Sequence, residues 1–352
     1  MNLSYIAFVG TGELFFIDGI TKEITDVVIV VSLGFISVLG LITNIINMIV
    51  FLKPGYKDGM RIELFSLAIT DFFVSILVLA FTVLYVASIF CVRSPVDLWA
   101  LAYVPFVWAV NALYLISCWI TAIISLERCF SVVFPFAVRH IFKTRRSLIL
   151  IVIIYAFHIA LFLPAFIIDK MEWVALDDDN SGNFSSLSES PQWIYTVVFS
   201  EAAVELDVVL DITAGLFLFI SSQLVLFVCS LCMTVSLKLS SAVRTANAHP
   251  EDKVKVNSSH LTNQERRLIW VVLFLSVLHT VCNVPRLSLI IFYHAYPWLN
   301  LDSQQNAVAI VWTIMTIFSS MTCSSSIWGY YTLNSKYRNI FIRTFKINNQ
   351  KQ

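Results

Sequence analysis

Seven continuous apolar runs dominate this chain, at residues 27–52, 64–90, 100–126, 148–168, 208–237, 268–292 and 307–331. A helix needs about 20 apolar residues to cross a bilayer, and each run reaches that length. Inside lipid the backbone must satisfy its own hydrogen bonds, which leaves helices or closed barrels. Barrel strands alternate apolar and polar residues, whereas these runs do not. The expected fold is therefore an all-α membrane protein, a seven-transmembrane helix bundle. Composition agrees, with 58% hydrophobic and 13% charged residues, where a soluble domain carries about 25% charged.

Charge in the loops sets the orientation, because Lys and Arg favour the cytoplasmic side. With the N-terminus outside, 19 of the 23 Lys+Arg fall inside; Lys22, Arg93 and Lys170 fall outside and Arg286 lies within a run. The expected organisation is an extracellular N-terminus at 1–26, a membrane domain at 27–331 and a cytoplasmic amphipathic helix and tail at 332–352. The sequons at Asn2 and Asn183 then face the lumen and can be glycosylated, while that at Asn257 cannot. Residues 1–26 lack the basic and compact apolar regions of a signal peptide. In the tail, Tyr337, Ile340 and Phe341 share one helical face, which suits a short helix lying on the inner leaflet.

Ionisable groups at membrane depth are costly and mark functional candidates. Asp71 lies midway along the second run, and Glu127-Arg128 closes the third. His158 lies in the fourth, where it reads most simply as a packing residue. His279, Asn283 and Arg286 recur at i, i+4 and i+7 on the sixth, so they share a face. No enzyme is expected: the six His form no metal-ligand spacing, and there is no phosphate loop or nucleophile elbow. Nucleic acid is not an expected partner either. A seven-span transporter is the rival class, but the chain shows no internal repeat.

Several short motifs, taken in order, resemble those of rhodopsin-like (class A) G-protein-coupled receptors over nearly the whole chain. Thr43-Asn44 resembles the first-helix Gly-Asn, and Leu67-Ala68-Ile69-Thr70-Asp71 the second-helix Leu-Ala-x-x-Asp. Glu127-Arg128-Cys129 stands for Asp-Arg-Tyr, with Pro135 following. Pro164 fits the fourth helix, and Cys282-Asn283-Val284-Pro285 stands for Cys-Trp-x-Pro. Ser326-Ile327-Trp328-Gly329-Tyr330 occupies the place of Asn-Pro-x-x-Tyr, and Asn334-Ser335-Lys336-Tyr337-Arg338 resembles the start of helix eight. Such divergence is similar to the expanded invertebrate chemoreceptor-like branches, including those of molluscs and nematodes, and to FMRFamide-like peptide receptors.

The resemblance implies a receptor that binds an extracellular small molecule or peptide and activates a heterotrimeric G protein at the plasma membrane. It implies a polar core of Asn44, Asp71, Ser117 and Ser326. A sodium ion at Asp71 is the single inorganic ligand it offers; no other cofactor is expected. It implies an activation switch of Glu127, Arg128, Glu265, His279, Pro285 and Tyr330, in which Arg128 is held by Glu127 and Glu265 until the sixth helix swings outward. Departures accompany the matches. Tyr103 stands where the family has a disulfide cysteine, and the second outer loop has no Cys, so no bridge is expected there. Asn283 replaces the sixth-helix Trp, and the fifth run contains neither Pro nor Tyr.

Two ligand classes are excluded by single positions. Val110 stands where an amine receptor carries Asp, and Ser320 where a light receptor carries its Schiff-base Lys. Helical spacing places Val107, Asn111, Tyr114, Asn283, Arg286, Trp312, Thr316 and Ser319 along a ligand pocket. Arg286 suits an anionic group, although it can equally pair with Asp207, Asp211 or a carbonyl. The acidic outer face favours cations. These two signals oppose each other, and the sequence leaves the ligand's charge open.

Overall fold

A computed structural model describes residues 19–53, 59–91, 94–133, 144–176, 192–246, 263–295 and 305–345. The helices are α1 (Gly19–Leu52), α2 (Gly59–Phe90), α3 (Leu98–Val133) and α4 (Thr144–Ile168), followed by α5 over residues 201–246. Then come α6 (Asn263–Ala295), α7 (Gln305–Leu333) and the short α8 (Ser335–Thr344). Each apolar run lies within one of these helices. Among the described residues, six helices are long and apolar enough to cross a membrane. The chain is thus a helical, multi-pass membrane protein. The six are α1 to α6. In α7, Ser319, Ser320, Thr322, Ser324, Ser325 and Ser326 cluster in the second half of the helix.

The burial pattern is that of a protein solvated by lipid. Outward faces are apolar, as at Phe35, Ile153, Ile167 and Phe217. Polar side chains turn inward instead, including Asn44, Asn47, Asp71, Ser117 and Asn283. Helix α3 is the central pillar. Its five consecutive residues Tyr114 to Cys118 are all buried, so every face is covered, by α2, α4, α5 and α6 in turn. Small residues let neighbours approach closely. A Cβ at Gly40 would run into the hydroxyls of Ser75 on α2 and Ser324 on α7. Those three helices therefore meet where α1 has no side chain.

Helix α5 departs from the regular form. Ser200 caps its start by accepting from the Ala203 amide, and after Leu210 the backbone widens into a π-helix over Asp211–Leu218. Such bulges recur at functional sites. The fifth run contains no proline to signal it.

The connection between α4 and α5 contains an antiparallel hairpin, β1 (Lys170–Leu176) paired with β2 (Gln192–Val198). Its edge is tied to the chain before α3. The Tyr195 amide donates to Pro95 O at 2.8 Å, and the Asp97 amide returns a bond to Tyr195 O at 2.9 Å. Asp97 Oδ1 caps α3 by accepting from the Trp99 and Ala100 amides, both at 3.0 Å. All seven cysteines are free thiols. At the other end Asn334 caps α8, accepting from the Lys336 and Tyr337 amides. Tyr337 is 2% exposed, and Ile340 and Phe341 pack against the same core. The expected amphipathic face is thus seated on the bundle.

Candidate functional site

Helices α3 and α6 run antiparallel and are joined by polar contacts along most of their shared length. From the outer end, Arg286 Nη2 donates to Asn111 Oδ1 at 2.6 Å. Tyr114 donates its phenol to Asn283 Oδ1 at 2.5 Å, and Asn283 Nδ2 reaches Cys118 Sγ at 3.9 Å. His279 approaches Thr121 Oγ1 through Nε2 at 3.3 Å and Cys118 Sγ through Nδ1 at 4.0 Å. Ser276 and Ser125 exchange a hydroxyl bond at 2.9 Å. The α3 positions 111, 114, 118, 121 and 125 advance by threes and fours, as do 276, 279, 283 and 286 on α6. Each set is therefore one stripe of its helix, and the two stripes face each other.

Arg286 ends this ladder incompletely satisfied. Its guanidinium lies over the rings of Tyr114 and Phe219, 5.5 and 5.2 Å from their centroids. Asp211, at the start of the π-segment, lies within electrostatic reach. Its Nε is enclosed yet has no hydrogen-bond partner. Of the other expected pocket residues, Ser319 is buried beside the Tyr114 phenol and Thr316 is half-buried on α7. The side chain of Trp312 lies outside the described residues.

Acids gather at the outer mouth. Asp207 lies within electrostatic reach of Asp169 and Asp211, and all three act on Tyr103 in the same way. Trp108 Nε1 donates to Asp169 Oδ2 at 3.1 Å. Burial pushes the Asp169 carboxyl above the usual carboxylate range, and the Trp108 hydrogen bond partly opposes that shift.

The polar core is divided. Ser117 Oγ donates to Asp71 Oδ1 at 2.7 Å. Asn44 Nδ2 instead donates to the Cys323 carbonyl at 3.1 Å, while Asn47 Nδ2 contacts Asn44 Oδ1 and Ser326 Oγ. Tyr337 then donates to Asn47 Oδ1 at 2.6 Å, fastening α8 to α1. Asp71 also has the Cys323 thiol beside it. A hard cation prefers several oxygen ligands, and one carboxylate, one hydroxyl and a thiol fit sodium poorly.

At the inner end Arg128 turns to α2, where its Nη2 donates to the Met60 sulfur. Glu63, fully buried, lies beside Glu127 and Ser147 and faces Arg128. Glu265 belongs to α6, but its side chain lies outside the described residues, so its expected contact with Arg128 does too. Pro285 sits within the continuous helix α6. Tyr330 is held edge-on by Phe51 at 5.2 Å and tilted against Tyr337 at 5.6 Å. Asn2 and Asn183 lie outside the described residues. Sequence reasoning missed Glu63, Asn47, Asp97 and Thr196.

The arrangement defines a multi-pass helical bundle with a polar seam between its central pillar and its sixth helix. The chain matches no protein-family model and no curated protein.

Proposed function

We propose that this chain is a rhodopsin-like G-protein-coupled receptor with seven spans, its N-terminus outside and its C-terminus in the cytoplasm. It binds an extracellular chemosensory or neuropeptide ligand at the plasma membrane and activates a heterotrimeric G protein. The observation that carries this reading is the α3–α6 ladder. It runs from the incompletely satisfied Arg286 near the outer face to Ser125 and Ser276, one turn from Glu127-Arg128 near the inner face.

Hydrogen bonds between membrane helices contribute only about 0.6 kcal/mol each on average. A seam of such rungs can therefore be re-registered by a ligand of ordinary affinity. A ligand taking up Arg286 changes the outermost rung and biases α6 between two positions, because an equilibrium shifts by the ligand's differential affinity for its two states. At the inner end, movement of α6 opens the space beside Arg128 to the G protein. The π-segment of α5, which begins at Asp211 within electrostatic reach of Arg286 and ends just before Phe219, whose ring lies under the guanidinium, offers a second element able to change with the ligand.

A cross-link tests the mechanical part. Ser125→Cys/Ser276→Cys places two thiols where two hydroxyls meet at 2.9 Å. With the bridge formed, G-protein activation falls to background and returns on reduction. Full activation with the bridge intact would separate the ladder from signalling.

A further inference from the structure

Of the three acids, Asp211 lies within electrostatic reach of Arg286. We infer that the ligand is a small zwitterion whose ammonium is held by Asp169, Asp207 and Asp211 and whose carboxylate is held by Arg286. This deepens the receptor reading and rests on it for the meaning of the site, but not for its chemistry.

Asp169, Asp207 and Asp211 all lie within electrostatic reach of Tyr103, which stacks on Trp99 at 5.1 Å and meets Phe199 edge-on at 5.9 Å. Trp108 flanks Asp169 through its indole N–H. Carboxylates together with aromatic rings suit an ammonium group, which is drawn both to the charge and to the ring faces. Asp169 is 5% exposed, yet among the described residues its Oδ1 has no hydrogen-bond partner, and the enclosed Asp207 Oδ1 has none either. Enclosed carboxylate oxygens without donors are costly, and an ammonium brings three donors.

Arg286 makes the site bipolar. Its guanidinium lies within electrostatic reach of Asp211, and the Nε, without a partner among the described residues, leaves part of its fork for a carboxylate, which guanidinium binds in a planar, paired manner. Asp207 and Asp211 are one turn apart on α5, so the negative wall descends toward Arg286. A purely anionic ligand meets that wall and is repelled. A purely cationic one leaves Arg286 with its half-used fork. An ammonium and a carboxylate on one small molecule satisfy both, which reconciles the opposed charge signals of the sequence.

The test uses the purified full chain in lipid nanodiscs and reads ligand-induced thermal stabilisation, which needs no G protein. The probes are the free amino acids and short peptides with both termini free. Alongside run the same compounds N-acetylated or C-amidated, simple amines and simple carboxylates. The expected result is stabilisation by at least one zwitterion, with at least tenfold weaker apparent affinity when either end is blocked. Asp207→Asn and Arg286→Gln should each weaken the same zwitterion at least tenfold. The blocked compounds test the idea on the unaltered protein if a variant misfolds. Absence of stabilisation by every zwitterion, or a hit that keeps its affinity with one end blocked, overturns the proposal. Stabilisation without any G-protein response would leave the bipolar site standing and remove the receptor reading instead.

Discussion

Thr196 Oγ1 donates to Asp97 Oδ2 at 2.9 Å, so a single carboxylate both caps α3 and holds the outer hairpin. This joins the start of the third helix to the second outer loop, the two elements that a disulfide connects in the receptors the sequence resembles. Together with the paired Tyr195 amide and carbonyl, it ties them by hydrogen bonds where no disulfide joins them. Thr196→Val should cost about 1 kcal/mol, and Asp97→Ala, which also removes the cap, about 2 kcal/mol. Thermal unfolding in nanodiscs measures both. Equal losses for the two variants would show that the cap carries no weight beyond the clamp.

Ser276→Ala removes the innermost rung of the α3–α6 ladder. The expected loss of stability is between about 0.6 and 1.7 kcal/mol, with a rise in basal nucleotide exchange because α6 is freed nearest Arg128. Thr280→Ala is the comparison, since that hydroxyl bonds only to its own helix at Ser276 O. Guanine-nucleotide exchange in membranes at matched expression reads the difference. A greater rise for Thr280→Ala than for Ser276→Ala would dissociate the rung from the switch.

Glu63 is buried beside Glu127, with Arg128 as the nearby cation. A second carboxylate beside Glu63 in a poorly solvated place is an unfavourable excess of like charge. Glu63→Gln keeps the shape and removes the excess, so the melting temperature at neutral pH should rise by a few degrees. A fall would mean that Glu63 is itself the partner that stabilises Arg128.

Asp169 supplies a pH signature. Its carboxyl titrates above the usual range when folded because burial penalises the charge. A raised folded value means that the fold binds a proton more tightly than the unfolded chain. The associated stability is fully present below the unfolded value and is lost as pH rises through the folded one. Asp169→Asn keeps an oxygen for Trp108 and cannot ionise. It should be more stable than wild type at neutral pH, with the gap narrowing as the medium is acidified toward the ordinary carboxylate range. Melting curves against pH check this, and a gap that widens in acid would reverse the sign.

Much of the bundle was legible because lipid imposes length and continuity. All seven runs fall inside helices, and the i, i+4, i+7 spacing of His279, Asn283 and Arg286 correctly put them on one face. What that face meets was not legible, since contact between Asn283 and Tyr114, 169 residues apart, depends on helix packing. Glu63 was missed because its apolar run begins at Leu64. The helix starts five residues earlier than the run, at Gly59, where a Cβ would strike Ser147 on α4, and this draws Glu63 into the bundle. The π-segment left no trace, because its widening follows from packing rather than from a proline or a glycine pair. Asp97 had a readable signal, an Asp immediately before a helical run. Its bond to Thr196 did not, since that requires knowing where the hairpin folds back.

The most direct measurement is nucleotide exchange on a panel of heterotrimeric G proteins, driven by wild type and by Arg128→Ala at matched surface levels. A coupled receptor gives exchange above background with at least one G protein, raised by stabilising zwitterions and abolished in Arg128→Ala. Exchange at background for every G protein, with a stabilising compound bound and surface expression intact, would contradict the proposed function.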